Sequence, residues 1–417
     1  MSPRQRTYHD PLHGAIQLDR GIPAEALVID LIDTPAFQRL RRIRQLGPAN
    51  LTFHGAESSR FTHSLGVTHL ARRALHQLER SHPHLAEHRG VLYAAALLHD
   101  VGHAPFSHSG EEMFGTNHEV WSARLIREDS GLRDRLEAEG KGTADTVANL
   151  LETGRHSEPA IKALVTSQLD CDRLDYLMRD SHSTGTTYGR LDLDRLLAGL
   201  VLAPDGSLAI HPRGLLAVEH YLVVRQLMYR SVYNHRLNVV CNWLLKRVIE
   251  IARQLGPHQL WADGPMASWL WQPDQLSLSH FLANDDVTTL YHLSRWRQEG
   301  PPELREPCTR LLDRQLLKAV DVRHLSIADR LHLLSRVQRA ANQAGLDPEG
   351  CCALLQGHTR GYDPYQSGLR LWDGQTLAPL EEHSKLVDTL ITQEPWAWLL
   401  YPKRVTNTVR TLGAAHA

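Results

Sequence analysis

Residues 97–108 read LLHDVGHAPFSH, and this string gives the strongest indication of how the chain folds. The apolar run GVLYAAALLHDVGH predicts a helix that ends near Gly102, because glycine favours the left-handed conformation common at helix C-termini. Inside a regular helix His99 and Asp100 would point about 100° apart and would not share a ligand. At a helix end this constraint loosens. Imidazole nitrogen beside carboxylate oxygen then suits one divalent transition metal: Mn, Fe, Ni, Co or Zn.

Such a metal needs two more ligands, and they must come from elsewhere in the chain. The candidates are His63, in RFTHSLGV, and Asp172, in LDCDRLDYLMRD. Eleven of the 26 histidines fall between residues 54 and 118, which makes this region the place to look for metal or phosphate chemistry. An isolated His-Asp pair also fits an ordinary capped helix end. The presence of RFTHSLGV and LDCDRLDYLMRD in the same chain favours a metal site over a capped helix end.

The helix around Asp172 carries a polar face. Asp172, Tyr176 and Asp180 stand at i, i+4 and i+8, so they share one side of the helix. This face suits a cleft that holds a sugar hydroxyl. The alternative is a solvated face with a half-buried tyrosine.

A basic face is predicted on a later helix. Arg225, Tyr229 and Tyr233 have the same spacing, with Arg236 three residues further on. Arg60 precedes His63 by one helical turn, and Arg173 adjoins Asp172. The planar fork of arginine suits phosphate oxygens, although a lone arginine more commonly forms a surface salt bridge.

Length and composition exclude several classes of protein. The 417 residues allow two to three domains. Lys+Arg number 46 and Asp+Glu 47, so nucleic acid is unlikely as the main partner of this nearly neutral chain. The five cysteines form no C-x-x-C pair, which argues against a disulfide framework and a zinc knuckle and suits a reducing cytosol. No signal peptide or apolar membrane span is evident. We therefore expect a cytoplasmic protein with no membrane partner.

The organisation of the chain suggests two parts. Helical periodicity dominates residues 1–240, with hairpin signals in LVLAPDGSLAIH and LRLWDGQTLAPL. The run VEHYLVVRQLMYRSVYNHRLNVVCNWLLKRVIEIARQL predicts one long, uninterrupted helix. Eight of the nine tryptophans lie beyond residue 241. We predict a core domain over 1–240 and a mixed, mainly helical C-terminal lobe over 241–417, which is a candidate subunit interface.

Seven strings together resemble one family. They are DPLHGAIQL, IDTPAFQRLRRIRQLG, RFTHSLGV, LLHDVGHAPFSH, NHE, LDCDRLDYLMRD and YNHR, in this order over about residues 10–236. The chain resembles the HD-domain phosphohydrolases, specifically the SAMHD-type deoxynucleoside triphosphate triphosphohydrolases. The resemblance implies a mostly α fold, in which an HD-domain helical core carries a few short β-hairpins and is followed by a mainly helical C-terminal lobe.

The resemblance also implies roles for individual residues. The metal-ligand positions are occupied by His63, His99, Asp100 and Asp172. The phosphate-side and catalytic positions are occupied by His103, His108, Glu111 and His118. The substrate-binding positions are Arg60, Arg173 and Arg225 for phosphate, Gln45, Tyr176 and Asp180 for the sugar 3′-hydroxyl, and Leu46 and Tyr233 beside the sugar 2′ position. Arg173 and Glu111 stand where the vertebrate relative has Lys and Asp.

The implied reaction is hydrolysis of a deoxynucleoside triphosphate to a deoxynucleoside and inorganic triphosphate. The metal polarises the α-phosphate and lowers the pKa of a bound water. His118 is the candidate general acid, and Glu111 holds its tautomer. A second ion, Mg, is expected to arrive with the substrate phosphates.

Regulation and assembly follow from the same resemblance. Relatives form oligomers, so we expect a homo-oligomer, a dimer or a tetramer. Relatives are also switched on by a nucleotide at a separate site. The matching allosteric positions here are Arg6, Asp33, Gln38 and Arg41, although all four also suit structural roles at a helix start and surface.

Two other functions remain open from the residues. One is another HD-type phosphohydrolase, such as a 5′-nucleotidase or a hydrolase of a signalling nucleotide. The number of phosphate-facing Arg and His disfavours it, because one phosphate needs fewer. The other is a nucleotide-controlled binding module with little catalysis that touches single-stranded nucleic acid. The intact ligand set and the neutral charge disfavour that alternative.

Overall fold

The computed structural model describes residues 4–359, 362–364 and 368–411. These residues are mostly helical, which confirms the predicted fold class. The first part contains β1 (Gln5–Asp10), β2 (Gly14–Asp19), α1 (Pro23–Ile32), α2 (Pro35–Gln38), α3 (Arg60–Glu79), α4 (Arg89–Leu98), α5 (His108–Phe114), α6 (His118–Glu128), α7 (Ser130–Glu139), α8 (Thr143–Thr153), α9 (Pro159–Val165), α10 (Cys171–Thr184), α11 (Leu193–Ala198), β3 (Leu200–Leu202), β4 (Leu208–Ile210), α12 (Leu215–Met228) and α13 (Arg236–Leu255).

The later part mixes helices with short strands. It contains α14 (Gly264–Trp271), α15 (Leu278–Ala283), α16 (Asp286–Glu299), α17 (Pro302–Leu312), β5 (Lys318–Asp321), α18 (Ile327–Gln343), α19 (Pro348–Cys351), β6 (Ala353–Thr359), β7 (Arg370–Trp372), β8 (Leu377–Pro379), α20 (Leu380–His383), α21 (Lys385–Leu390), β9 (Glu394–Tyr401) and α22 (Thr406–Thr411). Both predicted hairpins are confirmed as the antiparallel pairs β3–β4 and β7–β8. These join through a parallel contact between β4 and β7, while β9 lies between β5 and β6.

Three helices position the predicted metal ligands. α3 packs against both α4 and α10. α4 is almost entirely apolar and buried, so it lies in the core. The starts of α3 and α10 are fixed by side-chain caps, because Ser59 and Asp170 accept hydrogen bonds from backbone amides of the first turn. This packing brings one face of α3, the end of α4 and the start of α10 together.

The sequence predicted the end of α4 near Gly102 correctly, but for the wrong reason. The helix ends at Leu98, and Gly102 does not adopt the left-handed cap conformation expected from the sequence. Instead, α6 passes very close to Gly102. A Cβ at this position would overlap the backbone of His118 and Ser122. Glycine is needed here for close packing between chain segments rather than for backbone freedom.

The predicted uninterrupted helix is wrong in its middle. α12 runs into a π-helical turn over Tyr229–Tyr233, and α13 begins only at Arg236. Asn238 donates a hydrogen bond to the Val232 carbonyl, and the His235 side chain caps α13. In a regular α-helix these backbone groups would bond to other backbone groups of the same helix, but here side chains bond to them instead. The spacing of apolar residues does not reveal such side-chain bonds.

α13 connects the two parts of the chain. It packs against α5 from the earlier part and α17 from the later part. The predicted boundary at residue 240 falls within this helix, and the division into two domains remains a prediction. Within the described ranges, no helix combines the length and apolar character needed to cross a bilayer.

Candidate active site

Four side chains from three separate segments converge at the junction of α3, α4 and α10. His63 Nε2 lies 2.9 Å from Asp172 Oδ1 and 3.3 Å from His99 Nε2. Asp100 completes the group, with one oxygen 3.3 Å from His99 Nε2 and the other 3.6 Å from His63 Nε2. We call these four residues the tetrad. The structure thus brings together all four residues that the sequence indicated.

The rear nitrogens of both tetrad histidines are already engaged. His63 Nδ1 donates to Asp175 Oδ2 at 2.8 Å, and His99 Nδ1 donates to the Ala96 carbonyl at 2.9 Å. Both Nε2 atoms therefore face the centre of the tetrad. Burial lowers the pKa of His63, but hydrogen bonds with Asp172 and Asp175 raise it more, to about 10. The centre of the tetrad therefore favours positive charge.

Asp175 was not singled out by the sequence. Its carboxylate is fully buried and also accepts hydrogen bonds from His13 Nε2 at 2.6 Å and Arg179 Nε at 2.7 Å. Gly66 on α3 makes room for it, since a Cβ there would overlap the carboxylate. Two features of the sequence could have pointed to Asp175: the histidine in DPLHG, which is His13, and the i, i+4 spacing of Asp175 and Arg179. Neither feature shows that these side chains bond to Asp175.

A second cluster lies beside the tetrad. Glu111 accepts hydrogen bonds from His118 Nδ1 at 2.7 Å and from His108 Nδ1 at 2.6 Å. Burial raises the pKa of Glu111, but hydrogen bonds from both histidines lower it more, well below its usual range. His103 Nε2 lies 3.3 Å from Asp100 Oδ1, which connects the cluster to the tetrad.

The geometry of this second cluster favours proton transfer over metal binding. Ligand atoms of His103, His108, Glu111 and His118 lie within 4.8 Å of one another. However, the rings of His103 and His118 are stacked, with centroids 4.1 Å apart and planes 10° from parallel. The lone pairs of parallel rings cannot point at one ion. Glu111 moreover fixes the tautomers of His118 and His108 so that both direct Nε2 away from it.

A single cavity of about 450 Å³ connects these groups. Most of the residues predicted for substrate and catalysis line it. They are Gln45, Leu46, Arg60, His103, His108, His118, Arg173, Tyr176, Asp180 and Tyr233, together with His99, Asp100 and Asp172 of the tetrad. Glu111 and His63 lie behind this lining and hold residues that face the cavity.

Comparisons with known proteins agree with this geometry. The HD domain profile matches residues 60–180, and the HD associated region matches 191–260. The uncharacterised protein YwfO of Bacillus subtilis is 32% identical over 392 residues, which cover 93% of this chain and 85% of YwfO. The solved structure of a phosphohydrolase from Bacteroides thetaiotaomicron has a TM-score of 0.81 and 26% identity, and the match covers 96% of this chain and 100% of that chain.

Vertebrate proteins match over a shorter length. Human SAMHD1, a deoxynucleoside triphosphate triphosphohydrolase, is 29% identical over 278 residues, which cover 58% of this chain and 43% of SAMHD1. The chain belongs to the SAMHD-like HD-domain phosphohydrolases. The matched HD domain begins at the first residue of α3 and ends at Asp180, so it contains the whole tetrad.

HD domains bind divalent metals, and the tetrad fits such an ion. Ligand atoms about 2.1 Å from one ion lie roughly 3.0–3.4 Å apart, close to the separations within the tetrad. Two imidazoles and two carboxylates suit a borderline divalent cation. Burial raises the pKa of Asp172, but hydrogen bonds with His63 and His99 lower it more, well below its usual range. The Asp172 carboxylate is thus ionised, as a carboxylate ligand must be, and an imidazole that binds the metal releases its Nε2 proton when the ion enters.

The structure places the predicted phosphate-binding arginines differently from one another. Arg60 is buried and forms an ion pair with Asp100, and Arg173 pairs with Asp170; both line the cavity. Arg225 does not line it and instead donates to Gln168 Oε1 at 2.7 Å. Its guanidinium carbon lies 5.8 Å from the ring centre of Tyr229, which does line the cavity, and phosphate binding by Arg225 remains a prediction.

The four residues predicted for an allosteric site lie together on the surface. Arg6 Nη1 donates to Asp33 Oδ2 at 2.6 Å, and Arg41 Nε donates to Gln38 Oε1 at 2.8 Å. Arg41 also covers the ring of Phe61. Their mutual pairing explains their placement without a ligand, and binding of a nucleotide there remains a prediction.

Asp175 should control metal affinity through His63. We expect Asp175→Asn to weaken Mn²⁺ binding by about 10- to 100-fold, because the His63 ring loses its charged hydrogen-bond acceptor. Competition with a fluorescent chelator measures this directly. Asp134→Asn, the same change at an exposed position on α7, should bind as the wild type does. Equal affinities in the two variants would contradict the role of Asp175.

Asp180 should make stability depend on pH. Burial raises its pKa to about 7, against a hydrogen bond from Tyr233 that lowers it. The folded state then binds this proton more tightly than the unfolded state, so the contribution of Asp180 to stability is lost as pH rises from about 4 to about 7. Asp180→Asn keeps an oxygen acceptor for Tyr233 without a charge. Its stability relative to the wild type should rise by on the order of 2 kcal/mol from pH 5 to pH 8. A constant difference in urea unfolding would refute this.

Proposed function

We propose that this chain hydrolyses deoxynucleoside triphosphates to a deoxynucleoside and inorganic triphosphate. The observation that carries the proposal is the content of the single cavity. It is lined by three members of the tetrad, by a cluster of basic side chains and by the Asp180–Tyr233 pair. A nucleotide needs all three: a reaction centre, partners for its phosphates and a pocket for its sugar.

The dimensions of α10 support a substrate longer than a phosphate ester. Asp172 belongs to the tetrad, Tyr176 stands one turn later and Asp180 two turns later, and all three line the cavity. Eight helical residues span roughly 12 Å. A hydroxyl-binding carboxylate at that distance from the reaction centre suits a nucleoside attached to the reacting phosphate.

The charges beside the tetrad support several phosphates rather than one. Arg60, Arg173 and three histidines line the same cavity. One phosphate offers too few oxygens to engage all five of these side chains, whereas a triphosphate offers enough acceptors for the whole set. This favours a triphosphate over the monophosphate of a 5′-nucleotidase.

The second cluster is arranged to supply a proton. A metal bound by the tetrad would stabilise negative charge developing on the α-phosphate. Glu111 accepts from His118 Nδ1 and stabilises the protonated ring, so His118 Nε2 carries a proton toward the cavity. Water adds to the α-phosphorus as the Pα–O5′ bond breaks, and the 5′-oxygen takes the proton of His118 Nε2. The attacking water loses a proton to the solvent, and His118 regains one from the solvent before the next turnover. Arg60 and Arg173 offset the charge of the released triphosphate.

The sugar pocket supports selection of deoxyribose. Tyr233 donates to Asp180 Oδ2 at 2.8 Å, and Leu46 and Gln45 line the same cavity. A ribose 2′-hydroxyl beside Tyr233 and Leu46 would lose its hydration without gaining a partner. The SAMHD1 relatives are deoxynucleoside triphosphate triphosphohydrolases, which supports deoxynucleoside triphosphates as substrates here.

Product analysis tests the proposal. The purified chain is incubated in H₂¹⁸O with each deoxynucleoside triphosphate and with ATP and GTP, in Mn²⁺ and in Mg²⁺. We expect deoxynucleoside and triphosphate as products, with ¹⁸O in the triphosphate, because attack occurs at the α-phosphorus. Release of monophosphate with pyrophosphate, or of phosphate alone, would contradict the proposal. So would turnover of ribonucleotides at equal rates.

Three further proposals concern the metal, regulation and assembly. We propose Mn or Fe as the resident metal and a homo-oligomer as the active form.

We also propose that GTP activates the enzyme. It would bind at the surface formed by Arg6, Asp33, Gln38 and Arg41, and the product assay with added GTP measures the activation. Activation should disappear in Arg41→Ala if this surface binds the nucleotide. Light scattering with and without GTP measures the assembly.

A further inference from the structure

The segment Asn284–Asp286, at the junction of α15 and α16, is polar but fully buried. Its three residues are 0%, 3% and 1% exposed. The segment lies beyond the HD domain and beyond the HD associated region, which ends at residue 260. Polar groups are rarely buried without partners, so the contacts of this segment indicate its role.

Asp286 binds two backbone amides from distant parts of the chain. Its Oδ1 accepts from Phe106 N at 2.7 Å, and its Oδ2 accepts from Arg44 N at 3.0 Å. Phe106 follows the loop that carries His103, and Arg44 precedes Gln45 and Leu46. One carboxylate therefore joins the histidine side of the cavity to its sugar side.

The loop held at Phe106 has an unfavourable backbone. Phe106 and Ser107 adopt φ values of +61° and +60°, which non-glycine residues rarely adopt. Such a conformation persists only where its surroundings hold it. Ser107 Oγ donates to the Arg44 carbonyl at 2.5 Å and accepts from Arg60 Nε at 2.6 Å, so the loop is also tied to Arg60.

Arg39 strengthens the same connection from the opposite direction. Its guanidinium is 1% exposed and donates to the His103 carbonyl at 2.9 Å and to the Asn284 carbonyl at 2.8 Å. Arg42 pairs with Asp285. The segment 39–44, the loop 103–107 and the segment Asn284–Asp286 thus form one bonded unit.

We propose that Asn284–Asp286 is a positioning element of the active site and that Asp286 is its principal positioning residue. It fixes the loop that carries His103 relative to the segment that carries Gln45 and Leu46. The later part of the chain thereby contributes to catalysis without touching substrate. A displacement of about 1 Å at a reaction centre can lower a rate by about 100-fold, so this spacing matters.

Hydrogen exchange on the full chain tests the positioning without reference to any substrate. In Asp286→Asn, one of the two amides loses its acceptor, so peptides covering residues 101–110 or 43–47 should exchange at least about tenfold faster. Asp347→Asn is the matched control, because Asp347 also accepts hydrogen bonds from two backbone amides, those of Glu349 and Gly350, but it lies at the start of α19 and is outside the proposed element. Equal exchange of these peptides in both variants would overturn the proposal.

A kinetic arm rests on the proposed function. At a temperature where both variants are fully folded, Asp286→Asn should lower kcat by about tenfold or more with unchanged Mn content, while Asp347→Asn retains wild-type kcat. If Asp286→Asn does not fold, Arg39→Lys replaces it. Lysine keeps the positive charge but cannot bond the His103 and Asn284 carbonyls together, so hydrogen exchange in residues 101–110 should become faster.

The two proposals can fail separately. A wild type that hydrolyses no nucleotide would refute the proposed function, and hydrogen exchange would still test whether Asp286 positions the loop. If the wild type hydrolyses nucleotides but the two variants have equal exchange rates and equal kcat values, the role of Asp286 would be refuted and the proposed function would stand.

Discussion

Replacing Asp172 by asparagine is expected to abolish metal binding and to lower nucleotide turnover by at least about 1,000-fold. Asp172 Oδ1 lies 2.9 Å from His63 Nε2 and 3.6 Å from His99 Nε2, so its charge faces both imidazoles. Asparagine keeps the shape but removes the negative charge that a divalent cation requires. Metal analysis of the purified variant and turnover with each deoxynucleoside triphosphate measure the two losses.

Thermal unfolding separates this effect from misfolding. Addition of Mn²⁺ should raise the melting temperature of the wild type, because a ligand that binds only the folded state stabilises it. The variant should show no such rise. Asp194→Asn, at an 88% exposed side chain on α11, is the matched control and should behave as the wild type. A variant with normal metal content and normal turnover would exclude Asp172 as a ligand.

Replacing Glu111 by glutamine is expected to lower kcat by about 100- to 10,000-fold while metal content stays unchanged. Glu111 accepts from both His118 and His108. Glutamine offers a single acceptor oxygen and no negative charge, so His118 loses the group that holds its tautomer and stabilises its protonated form. Steady-state kinetics at saturating substrate, combined with metal analysis, measure the effect.

A change of leaving group tests whether the loss concerns the proton. With bis(p-nitrophenyl) phosphate the leaving phenolate needs no protonation, so the Glu111→Gln defect should shrink to a small factor. Glu128→Gln, an exposed position on α6 that pairs with Arg124, controls for the loss of a carboxylate nearby. An equal defect on both substrates would show that Glu111 acts in some way other than through the proton of His118.

The sequence predicted the tetrad because its members occur in short, dense strings. His99 and Asp100 are adjacent, and His63 and Asp172 each sit in a recognisable motif. Local helix signals then limited how these strings could be arranged. The same reasoning could not find Asp175, because its importance lies in a hydrogen bond to a residue 112 positions away.

The wrong expectations share a physical cause. Periodicity assumes a regular helix, so it missed the π-helical turn at Tyr229–Tyr233. A helix-end rule assigned Gly102 to a left-handed cap, whereas the approach of α6 explains the glycine. In both places specific contacts that a local rule does not contain decide the backbone: Asn238 bonds the Val232 carbonyl, and α6 packs against Gly102.

Local periodicity and short motifs can be read along the amino-acid sequence, and they were enough to predict a mainly helical protein and the four members of the tetrad. The buried carboxylates that contact the site and its surrounding segments became visible only in the folded chain. Asp175 and Asp286 act through hydrogen bonds between segments far apart in the chain. Such bonds depend on how helices pack, and packing distances are not encoded in the spacing of residues along the chain.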